Sequence, residues 1–517
     1  MGFTEKLDFL MKITRTTNSQ MALRLSLDAS YISRLRTGKR LIPKNTELLH
    51  LMSEYFERNL TDNTSIKIVS EMMRAIPGEN LASSIVGWFT RDEEKAEEKT
   101  SGQVVRFLDS LSEFTPKNTT LKGAPAGLFQ TTDEVISVYY GVEGKRRAAI
   151  LFLSEVALCN KPQTLLLHSS EEMSWMLDDP TFRQQWGMLM FAVLNKGNRI
   201  KIIHVVDRGI DEMLESITSW MPLYMTGLIE PYYYPKKRDN IFKQTMFIAP
   251  ETSAVISHSV NDKTKGAANV LFRDKSAVTA YVGAYNEYLG LCRPLFKIFT
   301  GCNIQAFLDM MAEFEKKEAN TMEKTSSLSF LTIPKTLLTK FLENTAEDEA
   351  QKILAVHAAR VSDFKKLLNT CSYTEVISLP DIKSLFDKKV KADMSILMKG
   401  GIISYTPQNY IEHMQNIINL LKINENYHAH IISKPLDDRY IVYCREDRGV
   451  IVAKTSQPPV VLATDESQLT AAFWDFLKHT VGRNKYEHPD NEKTIERLQE
   501  YIAKVKAAVK EKGERRQ

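Results

Sequence analysis

The 517-residue sequence has no long hydrophobic segment. A helix that crosses a bilayer needs roughly 18 or more consecutive apolar residues, and the sequence contains no such run. Its start also lacks the basic and then apolar pattern of a signal peptide, since Glu5, Lys6 and Asp8 interrupt the first apolar residues. We therefore predict a cytoplasmic protein with no membrane partner.

Cysteine pairs and catalytic motifs are also missing. The five cysteines stand apart without CxxC spacing, which indicates reduced thiols rather than a zinc site or a disulfide framework. The phosphate-binding loop, the HExxH zinc motif and the GxSxG nucleophile elbow do not occur. His428 and His430 share one face of a predicted strand, which we interpret as a solvated face rather than part of a metal site. The sequence thus assigns no catalytic residue, metal or cofactor.

Charge is concentrated at the N-terminus. The whole chain carries 68 basic and 64 acidic residues, a net charge of +4. Residues 1–59 carry ten basic and six acidic side chains, so this segment alone matches the excess. A basic module on a nearly neutral body is typical of DNA-binding proteins with a separate sensing or assembly part.

Residues 17–40, TNSQMALRLSLDASYISRLRTGKR, predict two short helices joined by a tight turn. Asn18 or Ser19 can cap the first helix, because a short side-chain oxygen accepts the free N–H groups there. Apolar residues recur at helical spacing before the turn and again in a helix that starts near Ala29. Those inward residues are Met21, Ala22, Leu25, Ile32 and Leu35.

The outward face of the second helix carries hydroxyl and arginine side chains. Hydroxyls allow a helix to approach base edges, and arginine can bind guanine or phosphate. The run YISRLRTGKR resembles the helix-turn-helix of the Cro/phage-repressor (XRE) family, and the resemblance extends over residues 1–59. It implies double-stranded DNA as a partner, with contacts from Asn18, Asp28, Ala29, Ser30, Ser33, Arg34, Arg36, Thr37, Lys39 and Arg40.

Two residues depart from the family pattern. Ser26 stands where the turn usually has glycine, and Arg36 where glutamate is common. Asp28 can either cap the second helix or accept a hydrogen bond from a cytosine amine. A helix-turn-helix that serves only for protein contact is the alternative interpretation.

The fold class that we predict is multidomain, with an all-α helix-turn-helix domain followed by a two-lobed α/β body. Strand-like runs alternate with helical ones from about residue 133 onward. In that scheme VISVYY, ILFLSEVAL and TLLLHS are strand-like or mixed apolar runs. The predicted divisions are 1–60 helix-turn-helix, 61–125 helical connector, 126–302 first lobe, 303–373 helical connector, 374–483 second lobe and 484–517 tail.

An internal duplication is predicted for the two lobes. Residues 272–289 can be aligned with 463–480 without gaps, which places Asp274 opposite Asp465. Two unrelated α/β edges are the alternative. The strand and helix pattern resembles the phospholipase D-like fold, but the family's H-x-K-x-x-x-x-D motif is missing after His204, His258 and His428. The resemblance therefore implies a fold without phosphodiesterase chemistry.

A ligand pocket is predicted in the first lobe. His168 and His204 end apolar strands, at the edge where α/β sheets bind ligands. Tyr232, Tyr234 and Lys236 come from a segment rich in tyrosine and cations, which suits an anionic or aromatic effector. Structural histidines and a strand with a half-exposed rim are the alternatives.

The tail has apolar residues at spacings of three and four over residues 494–509. This pattern is typical of a dimer zipper or of an amphipathic helix laid on the body, and the second is more common. Taken together, the sequence predicts a bacterial transcriptional regulator that binds DNA as a homodimer and senses a small-molecule effector. The alternatives are an enzyme or defence effector with an autoregulatory DNA-binding domain, and a scaffold.

Overall fold

A computed structural model describes most of the chain. Among the residues that it describes, no helix is both long enough and apolar enough to cross a membrane. The described residues are 3–38, 40, 43, 46–60, 63–73, 81–90, 93–113, 129, 132–171, 174–205, 210–236, 241–260, 266–300, 304–325, 327–392, 403–432, 439–455, 460–482, 485–486 and 488–514.

The N-terminal region is helical and has its own hydrophobic core. Its first helices supply Leu7, Met21, Ile32 and Phe56 to this core, all with less than 1% of their surface exposed. Helices from the predicted connector join the same core, since Phe89 packs edge-on against Phe3 with ring centroids 5.1 Å apart. The helices are α1 Phe3–Ile13, α2 Asn18–Arg24, α3 Ala29–Arg36, α4 Thr46–Asn59, α5 Asn63–Met73, α6 Leu81–Thr90 and α7 Glu93–Glu113.

The first lobe is built on an eight-stranded mixed sheet. Its strands are β1 Ile136–Tyr140, β2 Thr164–Ser169, β3 Arg199–His204, β4 Ile229–Tyr233, β5 Phe242–Ala249, β6 Ser253–Val260, β7 Ala268–Phe272 and β8 Arg293–Pro294. Its helices are α8 Gly141–Leu158, α9 Ser174–Leu177, α10 Pro180–Asn195, α11 Ile210–Tyr224 and α12 Lys275–Gly290. The strand order is β1-β7-β6-β5-β2-β3-β4-β8, with β2, β3 and β4 parallel and the other pairs antiparallel.

The second lobe is built on a seven-stranded mixed sheet of the same design. Its strands are β9 Lys297–Thr300, β10 Thr321–Lys324, β11 Tyr373–Ser378, β12 Tyr427–Ile432, β13 Tyr440–Arg445, β14 Gly449–Lys454 and β15 Val460–Thr464. Its helices are α13 Ile304–Glu315, α14 Lys335–Phe341, α15 Glu347–Leu367, α16 Ile382–Phe386, α17 Pro407–Ile423 and α18 Ser467–Val481, with a 3-10 turn at Phe330–Thr332. The order is β12-β11-β10-β13-β14-β15-β9.

The two sheets repeat one topology, which confirms the predicted fold class. Strands β9 to β15 take, in chain order, the places of β1 to β7, with the same parallel and antiparallel pairs. The repeat starts at β9, well before the aligned segments. The alignment itself is one residue out of register, because Asp274 caps α12 but Glu466, not Asp465, caps α18.

The lobes pack against each other through helices. One core contains residues from both sheets and from α7, α11 and α18. Phe107 of α7 lies against Phe296 and Phe473, with ring centroids 6.3 and 5.6 Å apart. Helix α7 thus enters the body between α11 and α18, directly after the N-terminal region.

Two predicted elements differ in the structure. Residues 150–158, expected among the strand-like runs, belong to helix α8, whose residues from Ala148 onward are buried on nearly all sides. A helix buried all round lacks the 3.6-residue alternation that identifies surface helices. Residues 303–373, expected to be a helical connector, contain β10, which lies in the middle of the second sheet.

The C-terminal helix α19, Asn491–Glu514, lies on the second lobe. Leu498 and Val505 are fully buried there, so the amphipathic alternative holds for the tail. Side chains of α19 also donate hydrogen bonds to the outer edge of β12. Asn491 Nδ2, Thr494 Oγ1 and Arg497 Nη1 bond the carbonyls of Tyr427, Ala429 and Ile431 at 3.2, 3.1 and 3.0 Å.

Candidate functional site

The helix-turn-helix is formed by α2 and α3. Thr17, rather than Asn18 or Ser19, caps α2 in a capping box. The backbone N–H of Gln20 donates to Thr17 Oγ1, and the backbone N–H of Thr17 donates to the side-chain oxygen Oε1 of Gln20. Thr17 takes this role because glutamine three residues later completes the reciprocal pair. Asp28 caps α3 by accepting from Ser30 N at 2.6 Å. Hydrogen bonds from the side chain and backbone of Ser30 lower the pKa of Asp28.

The turn between the helices needs a left-handed residue. Ser26 has φ of +55°, a conformation that glycine adopts without steric cost. Serine at this position, where the family pattern usually has glycine, therefore strains the turn. Gly38 has φ of +69° just after α3.

The outer face of α3 presents a short polar row. Ser30, Ser33, Arg34 and Thr37 follow the i, i+3, i+4, i+7 pattern of one helix face, and all but the half-buried Ser33 are exposed. The Arg34 guanidinium lies along the helix, 3.3 Å from the Ser30 carbonyl and 3.4 Å from Ser30 Oγ. On the opposite face Ile32 and Leu35 are fully buried. Helix α3 is therefore anchored on one side and open on the other.

Arg36 holds α3 against its neighbours. Its guanidinium pairs with Asp8 of α1: Nε lies 3.1 Å and Nη2 lies 2.5 Å from Asp8 Oδ1. Its Nη1 also donates to Asn18 Oδ1 at 2.9 Å. Bonds from Lys12 first, and then from Arg36, lower the pKa of Asp8. Arg36 and Asn18, both predicted to contact DNA, are thus engaged with each other.

Arg40 links the module to the second lobe. Its Nη1 lies 2.8 Å from Asp447 Oδ2, in the turn between β13 and β14. Its guanidinium also stacks 4.3 Å from the ring centroid of Tyr31, on α3. Burial raises the pKa of Tyr31. Ala29, also a predicted DNA contact, packs partly against the module core, and Lys39 lies outside the described residues.

The first lobe contains a cavity at the carboxyl ends of β2 and β3. It encloses about 780 Å³, including its opening to solvent, and is bounded by α8, α10, α11 and the sheet. Aromatic and aliphatic side chains form most of the walls, with polar groups at the strand ends. The aromatic residues are Phe152, Trp175, Trp186, Trp220 and Phe247, and the polar ones are His168, Ser169, Glu171 and His204.

The structure brings His168 and His204 together at this cavity. His168 Nδ1 lies 3.0 Å from the Ile203 carbonyl, which can only accept, so this nitrogen carries the hydrogen. His204 Nε2 lies 2.5 Å from the Tyr224 hydroxyl. Burial, and then the nearby His168, lowers the pKa of His204 to about 3. His204 is therefore uncharged at neutral pH.

A buried ion pair lies behind the cavity, and the sequence did not indicate it. Lys145 and Glu171 pair with only 2% and 1% of their side chains exposed. Ser259 donates to Glu171 Oε1 at 2.9 Å, and Thr245 Oγ1 accepts from Lys145 at 3.3 Å. Burial lowers the pKa of Lys145 to about 7. In the sequence Lys145 is followed directly by Arg146 and Arg147, so no local signal distinguished it as the buried cation.

The other predicted pocket residues lie elsewhere. Tyr232 faces the opposite side of the sheet, toward α12, and donates to Glu230 Oε2 at 2.9 Å. Tyr234 packs against Tyr288 with ring centroids 5.9 Å apart, and Lys236 is exposed. Side chains alternate along β4, so a segment rich in tyrosine divides between two faces.

The second lobe contains a buried carboxylate pair that the sequence also did not indicate. Glu323 and Glu375 are register partners on β10 and β11. Glu375 accepts from Ser329 N at 2.8 Å and from the Tyr427 hydroxyl at 2.7 Å, and Glu323 accepts from Tyr373. Burial, and to a lesser extent the neighbouring Glu323, raises the pKa of Glu375 to about 7.

The predicted solvated face of β12 is only partly exposed. His430 has 8% of its surface exposed, and His428 Nδ1 lies 3.3 Å from Asn491 Oδ1. Burial lowers the pKa of both histidines. Among the residues that the structure describes, no group of three or more histidine, cysteine or acidic side chains is placed to bind a metal.

Comparisons with known proteins give distant structural matches only. No family model and no curated protein matches the chain. One similar structure is that of TrmBL2, an archaeal chromatin protein with a novel mode of DNA binding, at 12% identity and a TM-score of 0.23 over 47% of this chain and 86% of that one. Another is polyphosphate kinase from Porphyromonas gingivalis, at 12% identity and a TM-score of 0.22 over 64% of this chain and 47% of that one. Scores this low carry no argument about function.

Proposed function

We propose that the protein is a DNA-binding transcriptional regulator whose helix-turn-helix acts like that of the XRE family. The observation that carries the proposal is the open face of α3. Ser30, Ser33, Arg34 and Thr37 form one polar row on a helix whose other face is fixed by the core. Short hydroxyls beside one arginine suit the major groove, where arginine can bind guanine in a bidentate manner.

The proposal assigns different roles to the arginines of this module. Arg34 is exposed and contacts only its own helix, so it can reach a base edge or a phosphate. Arg36 instead positions α3 through Asp8, and Arg40 faces Asp447. Binding as a homodimer to two half-sites about one helical turn apart completes the proposed mode.

The proposed regulator senses a small molecule in the first lobe. A contact route supports this role: Trp220 of the cavity wall belongs to α11, α11 packs against α7, and α7 follows the N-terminal region. A ligand that shifts α11 would therefore move the helix that connects the body to the DNA-binding module. The proposal includes no catalytic step.

The test is footprinting of the full-length protein on its own upstream region at two salt concentrations. We expect a protected palindrome whose affinity falls steeply with salt, because lysine and arginine displace condensed counterions. Arg34→Ala should weaken binding roughly 5- to 150-fold, the equivalent of the about 1–3 kcal/mol that a bidentate base contact contributes.

Arg58→Ala is the matched control. Arg58 is an exposed arginine of the same module but lies on α4, paired with Glu54 at 3.1 Å. It should change affinity only slightly. Equal affinities of the Arg34→Ala variant and the wild type would remove α3 from the interface, and salt-independent or undetectable DNA binding would favour a protein-contact role.

A further inference from the structure

Strand β1 forms an open edge of the first sheet. Within the described part of the chain it pairs with β7 alone. The Val135 carbonyl accepts a hydrogen bond from Arg273 N at 2.8 Å. Bonded positions alternate along an antiparallel pair, so the N–H and C=O groups of Ile136, Val138 and Tyr140 point away from β7. The sheet therefore ends in a row of backbone groups that a further strand can reach.

The side chains along this edge are apolar and exposed. Ile136, Val138 and Tyr140 have 53%, 46% and 70% of their surface exposed. They share one face of β1, because side chains alternate along a strand. Residues 135–141, VISVYYG, contain no charged residue and no proline. An incoming strand would therefore gain apolar contacts as well as backbone hydrogen bonds.

The other three edges of the two described sheets are blocked. Strand β8 presents Arg293 and Pro294, and β9 begins with the exposed Lys297. Strand β12 carries α19 along its outer side. Charged residues, proline and covering helices are the means by which proteins block edges that have no partner. Within the described structure β1 has none of these, which indicates that its edge is used for pairing.

The strand is complementary to a second copy of itself. In an antiparallel pair centred on Val138, this residue faces Val138 of the second copy, and Ile136 faces Tyr140 of the second copy. These three residues are also the ones whose backbone groups point outward, so the two strands offer donors and acceptors at matching places. A β-branched side chain opposite an aromatic one is a favourable cross-strand pair.

Charges also match in this register. On the other face of β1, Tyr139 lies opposite Ser137 of the second copy. The Arg147 guanidinium stacks 5.6 Å from the Tyr139 ring centroid. Glu134 Oε2 accepts a hydrogen bond from Ser137 Oγ at 2.8 Å. Because facing Cβ atoms in a sheet are about 4.5–5.5 Å apart, Arg147 of each copy comes close to Glu134 of the other.

We propose that β1 pairs with β1 of a second copy, antiparallel and centred on Val138, so that the two first-lobe sheets form one continuous sheet. The inference rests on the homodimer of the proposed function and names the surface that forms it. A strand of another protein would meet the same backbone groups but not the two-fold match at Val138.

The test is analytical ultracentrifugation of the full-length protein without DNA. We expect a species with twice the mass of one chain. Val138→Lys places two ammonium groups opposite each other, and Val138→Glu places two carboxylates there. Facing like charges oppose association, so each variant should raise the dimer dissociation constant at least about 100-fold. An equimolar mixture of the two variants should recover dimers, because lysine then faces glutamate.

Phe242→Lys is the matched control. Phe242 lies on the same face of the sheet and is 77% exposed, but it belongs to β5, three strands away from β1. This variant should leave the dimer unchanged. Hydrogen exchange of the wild-type protein adds a measurement that needs no variant, since the amides of residues 135–141 should exchange more slowly in the dimer than in the monomer.

A wild-type protein that stays monomeric would overturn the inference. A dimer that persists in both Val138 variants would also overturn it, and so would dissociation without recovery on mixing, because Val138 would then not face itself. Equal exchange of residues 135–141 in monomer and dimer would overturn it even if the variants failed to fold. Since these measurements contain no DNA, a failed footprint leaves a positive result standing, and a monomer here leaves the footprint to test DNA binding by α3.

Discussion

Replacing Glu375 with glutamine should stabilise the second lobe at neutral and alkaline pH. The Glu375 carboxyl is fully buried, and this burial raises its pKa from the ordinary value of 4.5 to about 7. Below about pH 4.5 the carboxyl is protonated in both folded and unfolded chains. As the pH rises toward 7, the unfolded chain loses the proton while the folded chain retains it. The free energy of unfolding therefore falls over this interval.

The size of the effect follows from the same pKa values. A difference of one pKa unit corresponds to 1.36 kcal/mol, so the raised pKa of Glu375 costs about 3 kcal/mol of stability by pH 8. Glutamine keeps an oxygen for the Ser329 N–H and cannot ionise. Its amide can donate to the Tyr427 hydroxyl, which then acts as an acceptor. The substitution also removes the negative charge that an ionised Glu375 would place beside Glu323.

Thermal unfolding at pH 5, 6, 7 and 8 measures this difference. At roughly 2–4 °C per kcal/mol for a lobe of this size, Glu375→Gln should melt about 6–12 °C above the wild type at pH 8. The advantage should shrink steadily toward pH 5. Glu343→Gln, at an exposed site in the same lobe, should show no such trend. A melting difference for Glu375→Gln that stays constant from pH 5 to 8 would refute a protonated buried carboxyl.

Two further predictions concern the helix-turn-helix, and hydrogen exchange of residues 17–36 in the full-length protein measures both. Ser26→Gly should stabilise the turn by about 0.5–1 kcal/mol and slow exchange, because glycine adopts the φ of +55° without strain; faster exchange would contradict this account. Arg36→Ala should destabilise the α1–α3 packing by about 1–2 kcal/mol and should speed exchange. The value is no larger because the Arg36–Asp8 pair is partly exposed to solvent. Arg34→Ala, with contacts only to Ser30, should leave exchange unchanged, and equal effects of the two variants would remove the positioning role of Arg36.

Local patterns in the sequence were sufficient for the helix-turn-helix. Inward residues such as Ile32 and Leu35 repeat at helical spacing, and Gly38 marks the end of α3. The cap of α2 was misplaced by one or two residues because several short polar residues stand together, and only the Gln20 bond selects Thr17. Which arginines are engaged could not be predicted, since Arg36 and Arg40 meet Asp8 and Asp447 through tertiary packing.

The body was predictable in outline but not in detail. Strand ends placed His168 and His204 near a cavity, because parallel strands share a carboxyl edge. Strand β10 has only four residues, and such a segment carries no usable alternation. The buried pairs Lys145–Glu171 and Glu323–Glu375 join residues 26 and 52 positions apart in the sequence, so only the folded chain brings them together.

The bonds from α19 to β12 bear on how one edge of the second sheet is protected from aggregation. An uncovered strand edge offers a row of carbonyls to any other extended chain, and such edges promote aggregation. Here Asn491, Thr494 and Arg497 occupy alternate carbonyls of β12 and leave no free row for an incoming strand on that side. The C-terminal helix therefore covers the open edge of its own sheet. A chain cut before Asn491 would expose the edge, and we expect it to accumulate as aggregates rather than as a shorter folded protein, as size-exclusion chromatography would show.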